Sequence, residues 1–179
     1  MDVNALLDHI PEIDLIDDME LKQKVMAVFD AALSAGGWSL EDLHDMPFTL
    51  LITPCPMNMI EHIRGVTQVS YRSYQVFDEL YKERNPLEKD ILVAGALLHD
   101  IGKLVEYRRD KEGRFCQSTL GGLLRHPFSG VGLCYRFGLD GRILNAIAYH
   151  SKEGNLNKRT PEGKVIFHAD FINFEPFHT

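Results

Sequence analysis

Residues 90–103 read DILVAGALLHDIGK, and this stretch decides the fold of the chain. Residues 91–98 are all apolar or small, a pattern typical of a buried helix or a buried strand. The glycine and alanine inside the run favour the helix, because neither residue type is common in strands. Gly102 suits the left-handed residue that often follows a helix end. The stretch therefore predicts a buried helix whose last turn carries His99 and Asp100 into the interior.

His99 and Asp100 are polar groups at the end of an otherwise apolar helix. An ionised Asp is costly to bury without a partner, and a metal ion is one of the few partners that suffice. The plainer interpretation is a capping Asp beside a core His at a frayed helix end. The stretch alone leaves both interpretations open, so the rest of the chain must separate them.

The composition is that of an ordinary globular protein with a real core. The 179 residues are 45% hydrophobic and 25% charged, with a formal net charge of −7. This net negative charge argues against a broad surface that binds nucleic acid. A metal and a few basic residues could still hold a small phosphorylated ligand. Three widely spaced cysteines, no signal peptide and no apolar run of transmembrane length predict a reduced, cytoplasmic protein outside the membrane.

We divide the chain into an N-terminal helical extension over residues 1–55 and a second unit over residues 56–179. Within the extension, residues 48–53 form a short β-prone piece that is followed by two chain-breaking prolines. His9 and His44 also lie there. We interpret both as surface or packing histidines, because neither has a neighbour of the type that binds metals.

His62 is the first histidine that shares a helix face with apolar residues. Its helix begins at Asn58, which with Glu61 has the spacing of a capping box. Gly65 lies on nearly the same face, and we expect it to leave open space beside the imidazole. This position makes His62 a better ligand candidate than most histidines on an apolar stripe.

The second half of the chain contributes three more candidates. His126 is expected at the N-terminal end of a helix, because the proline that follows it favours the first helical position. His150 shares a helix face with Ile147, and Asp170 shares one with Ile166. We interpret the other histidines of this half, His168 and His178, as structural or exposed.

Six imidazoles and carboxylates are thus expected at inward positions, which is hard to explain as core packing. They are His62, His99, Asp100, His126, His150 and Asp170. Nitrogen and carboxylate ligands without thiolate suit iron, manganese, zinc, cobalt or nickel at a catalytic site.

The order H…HD…H…H…D resembles the HD superfamily of metal-dependent phosphohydrolases. LLHDIGK at residues 97–103 is close to its most recognisable motif, and GLLRHP at residues 122–127 resembles its third-histidine segment. RTPEGKVIFHADFIN at residues 159–173 looks like its closing helix. The resemblance covers residues 56 to about 174. It implies an all-α fold, an HD-domain helical bundle. The residues themselves predict a loop or a small β-hairpin over residues 104–119, in which residues 105–107 and 114–116 could pair.

The resemblance also implies roles for the six residues. A first metal would be held by His62, His99, Asp100 and Asp170, and Asp100 would bridge to a second metal held by His126 and His150. The HD-GYP branch and some relatives carry a second histidine directly after the fourth one, where this chain has Ser151, and the GYP signature is absent. Cyclic-di-nucleotide hydrolysis is therefore disfavoured. One or two divalent metals per chain remain open, with magnesium as a further option, and a single-metal site would leave His126 and His150 to contact substrate phosphate.

The activity implied is hydrolysis of a phosphoester of a nucleotide or another small phosphorylated substrate by a metal-activated water. Asp100, Lys103 and Arg125 are the expected catalytic residues, the last two as cations that stabilise transition-state charge. An HD-type diiron oxygenase is one alternative. A non-catalytic HD module that serves as a sensor or an interaction domain is another. The N-terminal segment could also support a homodimer.

Overall fold

A computed structural model of the chain describes residues 3–178, which form a helical bundle with one small hairpin. The helices of the first half are α1 (Val3–His9), α2 (Met19–Gly36), α3 (Asp42–Asp45), α4 (Met59–Tyr81) and α5 (Lys89–Leu98). The second half contains α6 (Lys103–Glu106), the strands β1 (Tyr107–Arg109) and β2 (Phe115–Gln117), α7 (Thr119–Leu123), α8 (His126–Tyr135), α9 (Gly141–Tyr149) and α10 (Pro161–Ile172). Short 3-10 turns cover Pro11–Leu15, Lys82–Arg84, Lys152–Gly154 and Glu175–Phe177. The predicted all-α class is confirmed.

Helix α5 is the centre of the bundle, as its uniformly apolar sequence predicts. Every residue from Ile91 to Leu98 is buried. The helix packs against α2, α4, α9 and α10, so its buried part from Ile91 to Leu98 presents no face to solvent. His99 and Asp100 follow directly in a buried turn, which carries both side chains into the middle of the bundle.

The prediction for Gly102 was wrong. Its φ of −66° and ψ of −19° are right-handed, and it is the N-cap residue of α6 instead of the residue that closes α5. A Cβ atom at this position would lie 2.0 Å from the His126 carbonyl oxygen. The residue is therefore a glycine because the backbones of α6 and α8 approach each other closely here.

Two capped helix starts fix where candidate ligands lie, and the first of them confirms the predicted capping box. Asn58 accepts a hydrogen bond from the Glu61 backbone, and the Glu61 side chain accepts one from Asn58, which completes the capping box of α4. His62 is therefore in the first turn of α4. The Thr160 hydroxyl accepts a hydrogen bond from the Gly163 backbone, with Pro161 at the first position of α10.

The segments between elements depart from expectation in three places. The hairpin exists, but β1 pairs Tyr107 with Gln117, because Val105 and Glu106, expected in the strand, belong to α6. Residues 119–123 form the unpredicted helix α7, since the Ser118 hydroxyl caps its first turn. Residues 48–53 form no strand, and the only pairing nearby in the described chain is an isolated bridge between Pro47 and Asn58.

The N-terminal segment shares its core with the rest of the bundle. Leu6, Ile10 and Ile13 are fully buried in the same apolar cluster as Val93 and Leu97 of α5. Backbone N–H groups of Asp17 and Asp18 donate to one carboxylate oxygen of Asp90, at 3.0 and 2.7 Å. The division at residue 55 stays a prediction. Within residues 3–178, no helix combines the length and apolar character that a membrane span requires.

Candidate metal centre

The six predicted ligands come together at one place in the bundle. His62 and His99 are fully buried, and Asp100, His126 and His150 are exposed by 5% or less. The side chain of Asp170 is 16% exposed and reaches the same place from α10. Residues that are far apart in sequence thus meet around Asp100.

The two carboxylate oxygens of Asp100 face different histidine pairs. Oδ2 lies 3.3 Å from His62 Nε2 and 3.4 Å from His99 Nε2. Oδ1 lies 3.3 Å from His126 Nε2 and 3.4 Å from His150 Nε2. Within each pair the two Nε2 atoms are 3.3 and 3.2 Å apart. Two donors about 2.1 Å from one ion would be separated by roughly 3 Å, so each pair has a spacing that suits a shared ion.

Asp170 belongs with the first pair. Its Oδ1 lies 3.2 Å from His62 Nε2 and 3.9 Å from His99 Nε2. The first group therefore offers two imidazoles and two carboxylates, whereas the second offers two imidazoles and the far oxygen of Asp100. This difference suits one more fully surrounded ion and one with positions left for solvent or a ligand.

The tautomers of three histidines are determined by their surroundings. His99 Nδ1 donates to the Ala96 carbonyl oxygen at 2.6 Å, and His150 Nδ1 donates to the Ile147 carbonyl oxygen at 2.8 Å. His126 Nδ1 donates to the Glu106 carboxylate at 2.9 Å. In the neutral form of each ring, the lone pair of Nε2 then points toward Asp100. Acceptors that converge on a buried carboxylate suit a bound cation between them.

Burial keeps His126 neutral. Desolvation lowers its pKa to about 4, and the neighbouring carboxylates of Glu106 and Asp100 do not offset this effect. Burial alone would raise the pKa of Asp100, but Lys103 and the nearby imidazoles hold it well below its ordinary range. His126 and Asp100 are thus in the protonation states that bind metals. Burial would lower the pKa of His62, but its contacts with Asp100 and Asp170 raise it.

Lys103 and Arg125, the two predicted cations, both line the cleft above this group, but in different ways. Lys103 is 8% exposed, and its Nζ donates to Asp100 Oδ2 at 2.5 Å and to the Phe48 carbonyl oxygen at 2.7 Å. The side chain of Arg125 is 52% exposed, and its Nε lies 3.6 Å from Glu106 and 3.7 Å from Glu153. Lys103 is therefore fixed, whereas Arg125 is held loosely at the entrance.

Glu106 is a site residue that the sequence analysis missed. Its Oε2 accepts hydrogen bonds from both the Nδ1 and the backbone N–H of His126. This contact sets the ring orientation of a candidate ligand, as carboxylates beside metal-bound histidines commonly do. No signal in the sequence could have revealed it, because the two residues are twenty positions apart.

The surroundings of His62 also differ from expectation. A Cβ atom at Gly65 would lie 2.6 Å from Asn173 Oδ1, so the expected open space beside the imidazole is taken by Asn173. The ring of Phe48 stacks on His62 with centroids 4.5 Å apart. The loop that was expected to be a strand thus covers one face of a candidate ligand.

A cleft of about 470 Å³ leads from the surface to the group. Its floor includes Asp100, His126, His150 and Asp170. Its volume is within the range of pockets that bind small molecules, roughly 300–1,000 Å³. The second pair of histidines is therefore accessible to a ligand.

Histidines outside this group lie apart from it or at the edge of the cleft. His9 Nδ1 lies 2.6 Å from His44 Nε2, and His9 Nε2 lies 3.5 Å from Glu41, so the premise that neither had a ligand-type neighbour was wrong. His168 is exposed, as expected. His178 is also exposed, but it lines the cleft.

Comparison with known protein families matches residues 59–172 to the HD domain. The chain belongs to the HD domain family. The match spans the segment from the first turn of α4 to the end of α10, which includes all six candidate ligands of this HD domain. It confirms the resemblance inferred from the motifs.

One curated relative of this HD domain is the dihydroneopterin 2′,3′-cyclic phosphate phosphodiesterase of Methanocaldococcus jannaschii. The two are 27% identical over 113 residues, which cover 63% of this chain and 44% of the relative. The chain thus spans less than half the length of that protein. Among solved structures, no significant match was found.

Proposed function

We propose that this chain is a metal-dependent phosphohydrolase that cleaves a phosphoester of a nucleotide or another small phosphorylated compound. The observation that carries the proposal is the division of Asp100 between two imidazole pairs at the floor of an open cleft. Family membership and the phosphodiesterase relative support the same reaction class.

The donor set supports a role for one or two divalent cations. In the proposed site His62, His99, Asp100 and Asp170 hold the first, and Asp100, His126 and His150 hold the second. Such a cation would acidify a water for attack on phosphorus and neutralise phosphate charge. The protein orients three of the imidazoles, through carbonyl groups in α5 and α9 and through Glu106.

Lys103 and Arg125 have distinct parts in the proposed reaction. Lys103 keeps a fixed positive charge beside Asp100, where it holds the carboxylate ionised. Arg125 contacts its two carboxylates only at long range, so its guanidinium can turn toward a bound phosphate at small cost. Both cations would stabilise the additional negative charge of the transition state.

The named activity of the relative suggests which substrates to assay first. That protein acts on a 2′,3′-cyclic phosphate, so we infer that a cyclic phosphodiester is a suitable substrate for this chain. Nucleoside 2′,3′-cyclic phosphates are stable and available forms of this group. They should be assayed together with simple phosphomonoesters.

The test combines metal analysis with an activity assay. Protein purified without chelator or nickel resin should contain one or two metals of the iron, manganese, nickel, cobalt or zinc type per chain. It should hydrolyse at least one of the phosphoesters above. Asp100→Ala should lose both metal and activity, because it removes a ligand common to both groups. Retention of both properties by this variant would contradict the assignment.

A matched control uses the separate histidine pair. His9→Gln combined with His44→Gln changes two imidazoles that lie outside the cleft, so activity should persist. Two irons per chain with dioxygen consumption, and no hydrolysis, would favour the diiron oxygenase. Metal-free protein that binds phosphorylated ligands without turnover would favour the non-catalytic module.

A further inference from the structure

The cleft above the metal centre has one side built from aromatic rings. Phe171, Phe174 and His178, at the end of α10 and in the turn that follows, all line it, and we call them the aromatic wall. The phenyl rings are partly exposed and the imidazole is exposed. A phosphate group gains little from contact with an aromatic surface. The aromatic wall is therefore available to another part of the ligand.

The rings connect the floor of the cleft with its entrance. Phe48 stacks on His62 at the floor and meets Phe174 edge-on, with centroids 6.1 Å apart. Phe174 in turn stacks on His178, with centroids 5.0 Å apart and an angle of 23° between the planes. A ligand with its phosphate on the floor would therefore extend along this series of rings.

The stacked rings of Phe174 and His178 indicate which ligand groups fit on the aromatic wall. The imidazole of His178 is a planar heteroaromatic ring that lies on the face of Phe174. Phe48 and Phe171 also contact Phe174, with angles of 75° and 77° between the ring planes, so the phenyl ring is packed by three neighbouring rings. A fixed aromatic face of this kind favours planar rings over flexible or saturated groups.

Polar groups elsewhere in the cleft lining could form hydrogen bonds with the polar edge of such a ring. Gln117 Nε2 donates to the Gly121 carbonyl oxygen at 2.9 Å, which orients the amide and leaves Oε1 as an acceptor. Lys152 lines the cleft as well. Stacking on one side and hydrogen bonding at the edge are the usual means by which proteins bind heteroaromatic rings.

We propose that the substrate is the phosphoester of a compound with a planar heteroaromatic ring, and that Phe174 and His178 select it by stacking. This inference rests on the proposed function, since it assumes that the phosphate lies at the metal centre. It excludes sugar phosphates and linear alkyl phosphates as preferred substrates.

The experiment compares the same reacting group with and without a ring. The probes are adenosine 2′,3′-cyclic phosphate and ribose 2′,3′-cyclic phosphate, assayed with the metal-loaded full chain. The adenosine compound should have at least a tenfold higher kcat/KM, mostly through KM. A third probe, a pterin that carries a cyclic phosphate, distinguishes a purine-like from a pterin-like ring.

Three variants test the wall itself. Phe174→Leu keeps apolar bulk but removes the ring, and it should reduce the adenosine-to-ribose ratio of kcat/KM about tenfold. Phe174→Tyr restores a ring and should restore the ratio. Phe177→Leu changes a neighbouring exposed phenylalanine that does not line the cleft, and it should leave the ratio unchanged.

A binding measurement distinguishes failure of this inference from failure of the proposed function. Calorimetric titration of the metal-loaded chain with adenosine 5′-monophosphate and ribose 5-phosphate measures ring preference without turnover. If no phosphoester is hydrolysed, the proposed function fails. Tighter binding of the adenosine compound, if Phe174→Leu abolishes it, would still support ring selection by the aromatic wall. The inference is overturned if neither assay reveals a ring preference, or if the preference survives Phe174→Leu.

Discussion

Glu106 controls the orientation of a candidate ligand that it touches through two hydrogen bonds. It accepts from both the ring and the backbone of His126, and it is itself 5% exposed. Burial alone would raise the pKa of Glu106, but the contacts with His126 lower it. An ionised carboxylate in this position keeps the proton on Nδ1 and leaves Nε2 to face Asp100.

We predict that Glu106→Gln weakens the second metal group specifically. The amide retains the shape of the side chain but not its charge, so His126 loses a charge-assisted hydrogen bond. Metal affinity or activity should fall about 10- to 100-fold, as for other partners of metal-bound histidines. Metal titration should show loss of the second equivalent before the first.

Glu112→Gln serves as the control for this variant. Glu112 is exposed in the hairpin turn, where it contacts Arg114, and its replacement should leave metal binding unchanged. If Glu106→Gln bound the second metal equivalent as tightly as the unmodified chain does, the carboxylate would not position His126.

At the scale of elements, the site depends on how closely α6 approaches α8. The backbone of Gly102 lies against that of His126, and Gly130 of α8 is also in contact. This approach places the turn with Asp100 beside the start of α8. Asp100 in this turn and His126 in α8 are therefore brought together by a backbone contact.

We predict that Gly102→Ala destabilises the chain by about 1–3 kcal/mol, because the added methyl group collides with backbone that cannot move aside. Urea denaturation measures the change. Gly132→Ala in α8 is the matched control, since nothing lies within 4 Å of its added Cβ atom. That variant should be neutral or more stable by up to about 1 kcal/mol. Similar stabilities of the two variants would contradict the close approach.

A second prediction at this scale concerns the contact between the N-terminal segment and α5. Burial would raise the pKa of Asp90, but the backbone N–H groups of Asp18 and Asp17 and the ammonium group of Lys89 lower it. The carboxylate therefore stabilises the fold at neutral pH. This contribution is lost as the pH falls below 3.8 toward the lower pKa of the folded state.

Asp90→Asn should accordingly lower the free energy of unfolding by about 1.5 kcal/mol at pH 7. The difference from the unmodified chain should shrink at acidic pH, when the native carboxyl is also neutral. Urea denaturation at several pH values checks this, with the exposed Asp78→Asn as control. A difference independent of pH would mean that the charge of Asp90 does not contribute.

At the scale of the whole molecule, residues 3–55 contribute to both the core and the cleft. Ile13 is fully buried in the cluster that includes α5, and Phe48 to Leu51 line the cleft. We predict that a chain starting at residue 56 loses cooperative thermal unfolding and binds hydrophobic dyes, because a face of α5 is left uncovered.

Point variants test the same prediction without truncation. Ile13→Ala should cost about 2–5 kcal/mol in the free energy of unfolding, because it leaves a cavity in the core. Met19→Ala, in which the replaced side chain is 61% exposed, should cost far less. A truncated chain that unfolds as cooperatively and at the same temperature would establish residues 56–179 as an independent unit.

The sequence by itself determined the helical class, the buried central helix, the capped starts of α4 and α10, and the family. These features depend on residues that are close in sequence, such as the capping box of Asn58 and Glu61. The tertiary structure decided how Asp100 is divided between the histidine pairs, the role of Glu106 and the aromatic side of the cleft. It also decided that Gly102 serves close packing and that residues 48–53 cover His62 as a loop. Each of these features depends on contacts between segments that are far apart in the chain. Local sequence patterns do not indicate which distant segments come into contact.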